Sequence, residues 1–235
     1  MGFDAGVVIL DTVDSTMAAA ARRAPERPGP IWILAREQTA SRGRRGRPWR
    51  QGQGNFAATL LLEEPDLRRA SLRSFVIALA LHEALGALGI AGLALKWPND
   101  VLVGGGKAAG ILLETLPQQH LAIGVGINLR EAPGAEAVEP GALPPVALGL
   151  ARPPEHVLHI LAAAYARWED RFQAEGFAAI RSAWLARAAR LGDVIRARTI
   201  TETHEGIFET IDSDGQLVVS TPSGRRSIPA ADVFF

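Results

Sequence analysis

Short apolar runs alternate with stretches of helical spacing over the first 190 residues of the chain. Consecutive apolar or alternating residues predict strands, which lie at 7–10, 31–34, 56–62, 93–97 and 121–129. Two further apolar runs, at 101–103 and 109–113, flank three glycines and a lysine, which predicts a hairpin. Apolar residues at helical spacing predict helices at 17–24, 67–88, 154–174 and 177–189. The pattern predicts an α+β fold with a mixed, mostly antiparallel sheet and flanking helices.

The pattern of apolar and polar residues changes after Gly192, where the apolar runs become short and are typical of β-strands. Asp214–Gly215 and Ser223–Gly224 supply turn signals between these runs. We therefore predict two domains, at 1–189 and 190–235, of which the second is a small all-β unit. The segment 131–145 is rich in proline, glycine and alanine and is predicted to be a surface loop.

Charge and cysteine content exclude several classes of function. The 235 residues carry 25 Lys+Arg against 25 Asp+Glu, and this neutral balance argues against sequence-independent binding to duplex DNA. The chain has no cysteine, which excludes disulfides and thiolate nucleophiles and is compatible with the cytosol. Its first residues resemble neither a secretory signal nor a membrane span. We expect a cytoplasmic protein with no membrane or nucleic-acid partner.

The segment from Ser41 to Asn55 concentrates positive charge on a flexible backbone. It holds five arginines, at 42, 44, 45, 47 and 50, and Gly43 and Gly46 lie between them. Glycine permits close approach of the backbone to a ligand, and arginine offers a fork of donors that suits phosphate and carboxylate. Trp49 offers a flat face for a ring. This pattern favours a mobile anion-binding loop, although a solvated basic loop or a nucleic-acid patch has the same composition.

A second polar cluster surrounds the predicted hairpin. Lys96, Asn99, Asp100 and Lys107 lie around one strand end and the hairpin, and Pro98 ends the strand, which puts Asn99 and Asp100 at a sheet edge. Asp100 is a candidate to hold a metal or orient a cation, and Lys107 to contact an anionic intermediate. The alternatives are a plain Asn–Asp turn and a solvated lysine at the hairpin tip.

Two shorter motifs complete the candidate site. Ser15 and Thr16 precede a predicted helix, where their hydroxyls can bond a polar ligand or simply cap the helix. Gly124 and Gly126 alternate along a predicted strand, which leaves room for something lying on the sheet or marks a bulge. No helix pattern follows them, so this is not a dinucleotide fingerprint. His156 and His159 lie three apart on a predicted helix but have no evident third and fourth metal ligand.

Together, these motifs resemble those of the biotin protein ligases. The likeness lies in DST, QTASRGRRGRPW, KWPNDVLVGGGKAAGILLE and GVGIN, in that order, and covers most of residues 7–129. Residues 190–235 are similar to the C-terminal SH3-like β-barrel of that family. The resemblance implies a class II synthetase-like catalytic domain. It also implies that biotin reacts with ATP, in the presence of Mg²⁺, to give biotinyl-5′-adenylate and pyrophosphate. The biotin then passes to a lysine of a carrier domain, such as that of acetyl-CoA carboxylase.

The resemblance also assigns roles to individual residues. Those implied to contact biotin are Ser15, Thr16, Met17, Gln38, Arg42, Gly43, Arg44, Lys107 and Gly110. Those implied to contact the nucleotide are Arg45, Arg47, Trp49, Asn99 and Asn128, with Trp49 packing on adenine. The catalytic residues would be Arg44, Lys107 and Asp100, of which Asp100 is a possible Mg²⁺ ligand.

The chain departs from the family pattern at two positions. Met17 stands where the family usually has asparagine, so it lacks that hydrogen bond, and Ser41 replaces a loop glycine, which predicts a stiffer loop. The chain begins at the catalytic domain's first strand, so we expect a ligase without the DNA-binding domain of the bifunctional repressors, as a monomer or weak homodimer. The rival hypotheses are a lipoate or octanoate ligase or transferase on a similar fold, and a nucleic-acid-binding module that uses the basic loop.

Overall fold

The structure, a computed structural model, describes residues 2–26, 29–49, 52–134, 138–139 and 141–235. The predicted loop residue Arg50 lies outside these residues. The strands and helices of the first 190 residues are β1 (Gly6–Val13), α1 (Thr16–Arg23), β2 (Ile31–Gln38), β3 (Phe56–Glu63), α2 (Leu67–Ala87), β4 (Leu93–Lys96), β5 (Asp100–Val103), β6 (Gly106–Leu116), β7 (His120–Ile127), α3 (Pro154–Glu175) and α4 (Phe177–Leu185). All the elements predicted from the apolar pattern are therefore present.

Seven strands form one sheet in the order β1-β2-β3-β7-β6-β5-β4. Only β1 and β2 pair in parallel, and every other neighbouring pair in this sheet is antiparallel. The predicted mixed, mostly antiparallel sheet is thus confirmed. The β5–β6 hairpin places Lys107 at the start of its second arm, as the glycine run indicates.

Helices cover the sheet on both faces. α2, α3 and α4 bury one face around residues such as Trp32, Leu60 and Ile123, and α1 covers the other face around Met17, Ile33 and Ala122. α2 is long and apolar enough to cross a membrane by length and composition, but 67% of its most apolar window is buried inside the protein. A mostly buried helix that packs in a protein core has the same length and composition, and α2 packs in this way against the sheet.

The end of α4 differs from the sequence-based expectation. Helical spacing predicts a helix to residue 189, whereas α4 ends at Leu185. The next residues lie beside β4 instead, because the Leu95 amide donates to the Arg187 carbonyl at 2.8 Å and the Ala189 amide donates to the Leu95 carbonyl at 2.8 Å. Backbone pairing with the edge of the sheet outweighs the local helical preference here.

The C-terminal residues form a five-stranded antiparallel sheet. Its strands are β8 (Val194–Arg198), β9 (Thr203–Ile211), β10 (Leu217–Thr221), β11 (Gly224–Ile228) and β12 (Asp232–Phe234), in the order β11-β10-β9-β8-β12. This sheet contacts the rest of the chain at its β9–β10 turn, where the Gly215 carbonyl accepts from Trp97 Nε1 at 3.1 Å. The division at residue 189 stays a prediction.

Candidate active site

A cavity of about 430 Å³ opens between α1, the ends of the central strands and the arginine loop. Fourteen of the fifteen residues predicted to form the site line it. They are Ser15, Thr16, Met17, Gln38, Arg42, Gly43, Arg44, Arg47, Trp49, Asn99, Asp100, Lys107, Gly110 and Asn128. Arg45 is the exception, and its guanidinium pairs with Asp232 instead. The structure therefore brings together four motifs that are far apart in the sequence.

At one end of the cavity, partly buried side chains form a hydrogen-bonded group at the start of α1. The Thr16 amide and hydroxyl donate to Gln38 Oε1 at 2.8 and 3.2 Å, and the Thr16 hydroxyl accepts from Thr59 at 2.8 Å. Ser15 caps α1 by accepting from the Ala18 amide at 3.1 Å. This end joins α1, β2 and β3, and its polar atoms lie where a ligand head group would meet both donors and acceptors.

A surface ion pair supports the same end. Asp14 accepts from the Ser15 amide at 2.8 Å and pairs with both terminal nitrogens of Arg22 at 2.8 Å. Hydrogen bonding to Arg22 holds the pKa of Asp14 well below its usual range, so the carboxylate is ionised at neutral pH. The Asp14 carboxylate thus contacts both the Ser15 backbone and the last turn of α1.

The floor of the cavity lies over the glycines of the sheet. A Cβ added at Gly126 would lie 2.6 Å from the Trp49 ring, and one added at Gly124 would lie 2.8 Å from Met17 Sδ. The sequence predicts room on the sheet at these glycines, and the structure fills that room with the side chains of Trp49 and Met17. Trp49 can occupy this position only because β7 lacks a side chain there.

Two lysines share one carboxylate at the opposite end. Lys107 Nζ lies 2.7 Å from Asp100 Oδ1, and Lys96 Nζ lies 3.9 Å from Asp100 Oδ2. Burial lowers the pKa of Lys96, against the attraction of Asp100. Two ammonium groups against one carboxylate leave this end with an excess of positive charge, which suits an anionic ligand.

Asn99 links this end to the arginine loop. Its amide nitrogen donates to the Ile111 carbonyl at 2.7 Å, while its Oδ1 accepts from Arg44 at 3.3 Å. Arg44 is half-buried, and desolvation is the main cause that lowers its pKa. Among the described residues, Arg44 is the one loop arginine for which no carboxylate lies within ion-pair distance.

The other loop arginines are held by carboxylates. Arg42 makes a two-pronged contact with Glu114 at 2.9 and 3.1 Å, and Arg45 and Arg47 each lie 2.9 Å from Asp232. A hydrogen bond joins the two ends of the loop, because the Ser41 hydroxyl donates to the Trp49 carbonyl at 2.6 Å. This contact gives a physical reason for the stiffness expected from serine at that position.

Asn128 offers an unused acceptor inside the cavity. Its side chain is buried, its Nδ2 lies 3.5 Å from the Lys107 carbonyl, and its Oδ1 has no partner among the described residues. A buried acceptor without a partner carries a free-energy cost that a ligand N–H would relieve. Asn128 therefore provides a contact for a hydrogen-bond donor on a ligand.

The sequence reasoning missed the residues that hold the arginine loop. These residues are Asp232 on β12, Glu139 in the 131–145 loop and Glu114 on β6. Their partners are distant in the sequence, so no local motif could identify them.

His156 and His159 lie on α3, and neither lines the cavity. No group of three or more potential His, Cys, Asp or Glu metal ligands exists in the described part of the chain.

Comparison with known proteins decides the family. Residues 9–128 match the model of the biotin/lipoate A/B protein ligase family, and residues 191–235 match that of the biotin protein ligase C-terminal domain. The chain belongs to the biotin/lipoate A/B protein ligase family. All fifteen predicted site residues lie within the span of the first match. The family resemblance seen in the sequence is thereby confirmed.

Individual ligases of this family cover nearly the whole chain. The biotin–[acetyl-CoA-carboxylase] ligase of Paracoccus denitrificans is 54% identical, over 97% of this chain and 99% of its own length. The bifunctional ligase/repressor BirA of Bacillus subtilis is 30% identical, over 96% and 71%. The structure of the Aquifex aeolicus biotin protein ligase in complex with biotin and ATP superposes with a TM-score of 0.84, at 24% identity, over 97% and 98% of the two chains. This last similarity supports the fold.

Proposed function

We propose that this chain is an ATP-dependent biotin protein ligase. In the first step the biotin carboxylate attacks the α-phosphate of ATP, which gives biotinyl-5′-adenylate and releases pyrophosphate. In the second step a carrier lysine amine attacks the acyl carbon, which forms an amide and releases AMP. The observation that carries this proposal is the single cavity that joins the Thr16–Gln38 hydrogen-bonding end to the Lys107–Arg44 cationic end. A polar head group and a reacting carboxylate need these two environments.

The cationic end suits the first step because two anions must approach each other there. Positive charge fixed where negative charge develops lowers the barrier without reorganisation of solvent. We assign this role to Lys107 and Arg44, since Lys107 is placed by the hairpin and Arg44 has no carboxylate ion pair among the described residues. Neither step needs an enzyme nucleophile, which agrees with a sequence that contains no cysteine.

The nucleotide would lie between Trp49 and Asn128. The ring of Trp49 offers a face for adenine, and the unused Oδ1 of Asn128 can accept from an exocyclic amine. Arg47 and Asn99 also line this part of the cavity. We further propose that the arginine loop orders over the adenylate and excludes water, because a mixed anhydride hydrolyses when it is exposed.

Magnesium is expected to arrive with ATP. In such sites Mg²⁺ is held by one or two carboxylates together with the substrate phosphates. Asp100 supplies one cavity carboxylate, and Asn99 precedes it, so the donor set fits an ion of this kind better than an all-protein metal site. Mg²⁺ would neutralise charge on the triphosphate, while Asp100 orients Lys107 and Lys96.

The decisive experiment compares acyl substrates under identical conditions. The protein is incubated with ATP and Mg²⁺ plus biotin, lipoate or octanoate, and the products are identified by mass spectrometry. We expect biotinyl-adenylate only with biotin, and one biotinylated lysine when a carrier domain of acetyl-CoA carboxylase is added. Adenylation of lipoate or octanoate in preference to biotin would overturn the proposal in favour of the rival ligase.

The cellular setting follows from this activity. We propose a cytoplasmic enzyme, because ATP and the carrier domain are encountered there, acting as a monomer or weak homodimer without a nucleic-acid partner. Light scattering at several protein concentrations measures the oligomeric state. Binding to duplex DNA that falls steeply with salt would contradict the absence of a nucleic-acid partner.

A further inference from the structure

Asp232, on the last strand of the C-terminal sheet, contacts the arginine loop across most of the sequence. Its Oδ2 accepts from Arg45 Nη1 and Arg47 Nη2, both at 2.9 Å, and lies 3.6 Å from Arg198 Nη2. The side chain is only 15% exposed and lines the cavity. One carboxylate thus joins two loop arginines to β8 and β12.

Glu139 extends this contact into the 131–145 loop. Its carboxylate lies 3.2 Å from Arg47 Nη2 and also pairs with Arg198. Two carboxylates and three guanidinium groups therefore form one network between the arginine loop, the 131–145 loop and the C-terminal sheet. A network of this kind holds geometry better than an isolated surface pair, because four of its five groups have more than one partner among the described residues.

The backbone of the loop requires such a restraint. Arg45 has φ 56° and ψ 27°, in the left-handed region that side-chain-bearing residues rarely adopt. This conformation persists only where surrounding contacts offset its cost. The contact that the structure provides for the Arg45 side chain is Asp232. Arg44, which precedes Arg45 in the chain, lines the cavity and donates to Asn99 Oδ1 at 3.3 Å.

We infer that Asp232 is a positioning residue that holds Arg45 and Arg47 so that Arg44 faces the reacting phosphate. The inference rests on the proposed ligase function and adds to it a role for the C-terminal sheet in the first step. Burial opposes ionisation of Asp232, but the hydrogen bond and charge of Arg47 and the charges of Arg45 and Arg44 outweigh it and keep its pKa below the ordinary value. The carboxylate is therefore charged at neutral pH.

The test compares Asp232→Asn, Asp232→Glu and a matched control in the same sheet. Glu209→Gln is that control, because it removes the exposed Glu209–Arg225 pair at 2.9 Å without touching the loop. We expect Asp232→Asn to lower kcat/KM for ATP in adenylate formation by about tenfold or more, as misplacement of a reacting group does. Asp232→Glu should recover most of this loss, and Glu209→Gln should match the wild type.

A double-mutant cycle with Arg45→Gln tests whether Arg45 acts through Asp232. If it does, Asp232→Asn/Arg45→Gln loses no more activity than the worse single variant. Arg45→Gln also leaves the C-terminal sheet intact, so it gives an answer even where Asp232→Asn fails to fold. Additive losses would show that Arg45 contacts the nucleotide independently, and they would overturn the inference.

Hydrogen exchange of residues 41–49 supplies a readout independent of turnover. Asp232→Asn should reduce protection of this segment, and Glu209→Gln should not. Wild-type activity and protection in Asp232→Asn, in a preparation whose wild type forms biotinyl-adenylate, would overturn the inference while the proposed function stands. A wild type that forms no adenylate would instead overturn the proposed function.

Discussion

The two ends of the cavity are held in place by different forces. At the head-group end, Thr16, Gln38 and Thr59 belong to regular elements. The Thr16–Thr59 hydrogen bond is buried, and the Thr16–Gln38 hydrogen bonds are partly buried. At the arginine loop, the restraining contacts are largely ion pairs with Glu114, Asp232 and Glu139, and several of the arginines are exposed. Buried hydrogen bonds inside a packed sheet resist rearrangement, whereas exposed ion pairs exchange readily with water and ligand.

This difference separates recognition from closure. A rigid end can select a neutral head group by shape and hydrogen bonding before reaction. An end held by exchangeable ion pairs can open for ATP and close again over the adenylate. The same arginine-rich loop would therefore need both glycine and opposing carboxylates, the first for movement and the second for a defined resting position. Four changes test this division of roles.

The largest effect is expected at the cationic end from Lys107→Ala. Lys107 contributes an ammonium group where charge develops, so its removal should lower the rate of adenylate formation on the order of 10²-fold. Arg44→Ala should have an effect of similar size. Arg225→Ala, which removes an exposed arginine of the C-terminal sheet, is the control. Either variant forming biotinyl-adenylate at the wild-type rate would refute the role assigned to that residue.

At the rigid end, Thr16→Val should affect stability and biotin binding together. The change removes one of the donors to Gln38 Oε1 and leaves the buried Thr59 hydroxyl without the acceptor Thr16. An unsatisfied buried group costs about 1–3 kcal/mol. We expect a lower free energy of unfolding in urea and weaker biotin binding by calorimetry. Thr12→Val removes an exposed 3.4 Å contact with Glu37 and should change neither quantity. Unchanged biotin affinity in Thr16→Val would place the head group elsewhere.

The position of Trp49 is tested by Gly126→Ala. The added Cβ would lie 2.6 Å from the Trp49 ring, so the ring must shift away from the sheet. Stacking of a base on an aromatic ring is worth about 1–3 kcal/mol, and we expect the KM for ATP to rise by about tenfold. Gly6→Ala is the matched control, because its Cβ meets nothing closer than 3.7 Å. An unchanged KM for ATP would exclude Trp49 as the adenine platform.

The smallest effect concerns salt. Raising the salt concentration from about 0.05 to about 1 M screens exposed charge pairs but hardly affects buried hydrogen bonds. Hydrogen exchange of residues 41–49 should therefore accelerate a few-fold, while the first turn of α1 keeps its protection. Equal responses in the two segments would contradict the proposed difference between the two ends.

The site residues that lie on regular elements were predictable from the sequence because they are adjacent to clear local signals. Ser15, at the rigid end, precedes a helix pattern, and Lys107, at the cationic end, enters the second arm of a glycine hairpin. The apolar runs likewise predict the strands of the central sheet, since burial on both faces leaves long hydrophobic segments. Helix α4 was predicted too long, because backbone pairing with β4 is a tertiary effect that local spacing does not reveal.

The restraints on the arginine loop were not predictable in the same way. Asp232 contacts Arg45 across 187 positions, and Glu114 contacts Arg42 across 72. A single carboxylate in a C-terminal strand has no motif that distinguishes it from the other acidic residues of the chain. The alternating glycines did predict space on the sheet, but only the folded chain shows that Trp49 and Met17 occupy it.

The most direct test is a crystal structure of the protein with biotinyl-5′-adenylate bound. We expect the biotin ring system against Thr16 and Gln38, the adenine against Trp49, and the phosphate within hydrogen-bond distance of both Lys107 and Arg44. Adenylate bound outside this cavity, or with its phosphate away from both cations, would contradict the account.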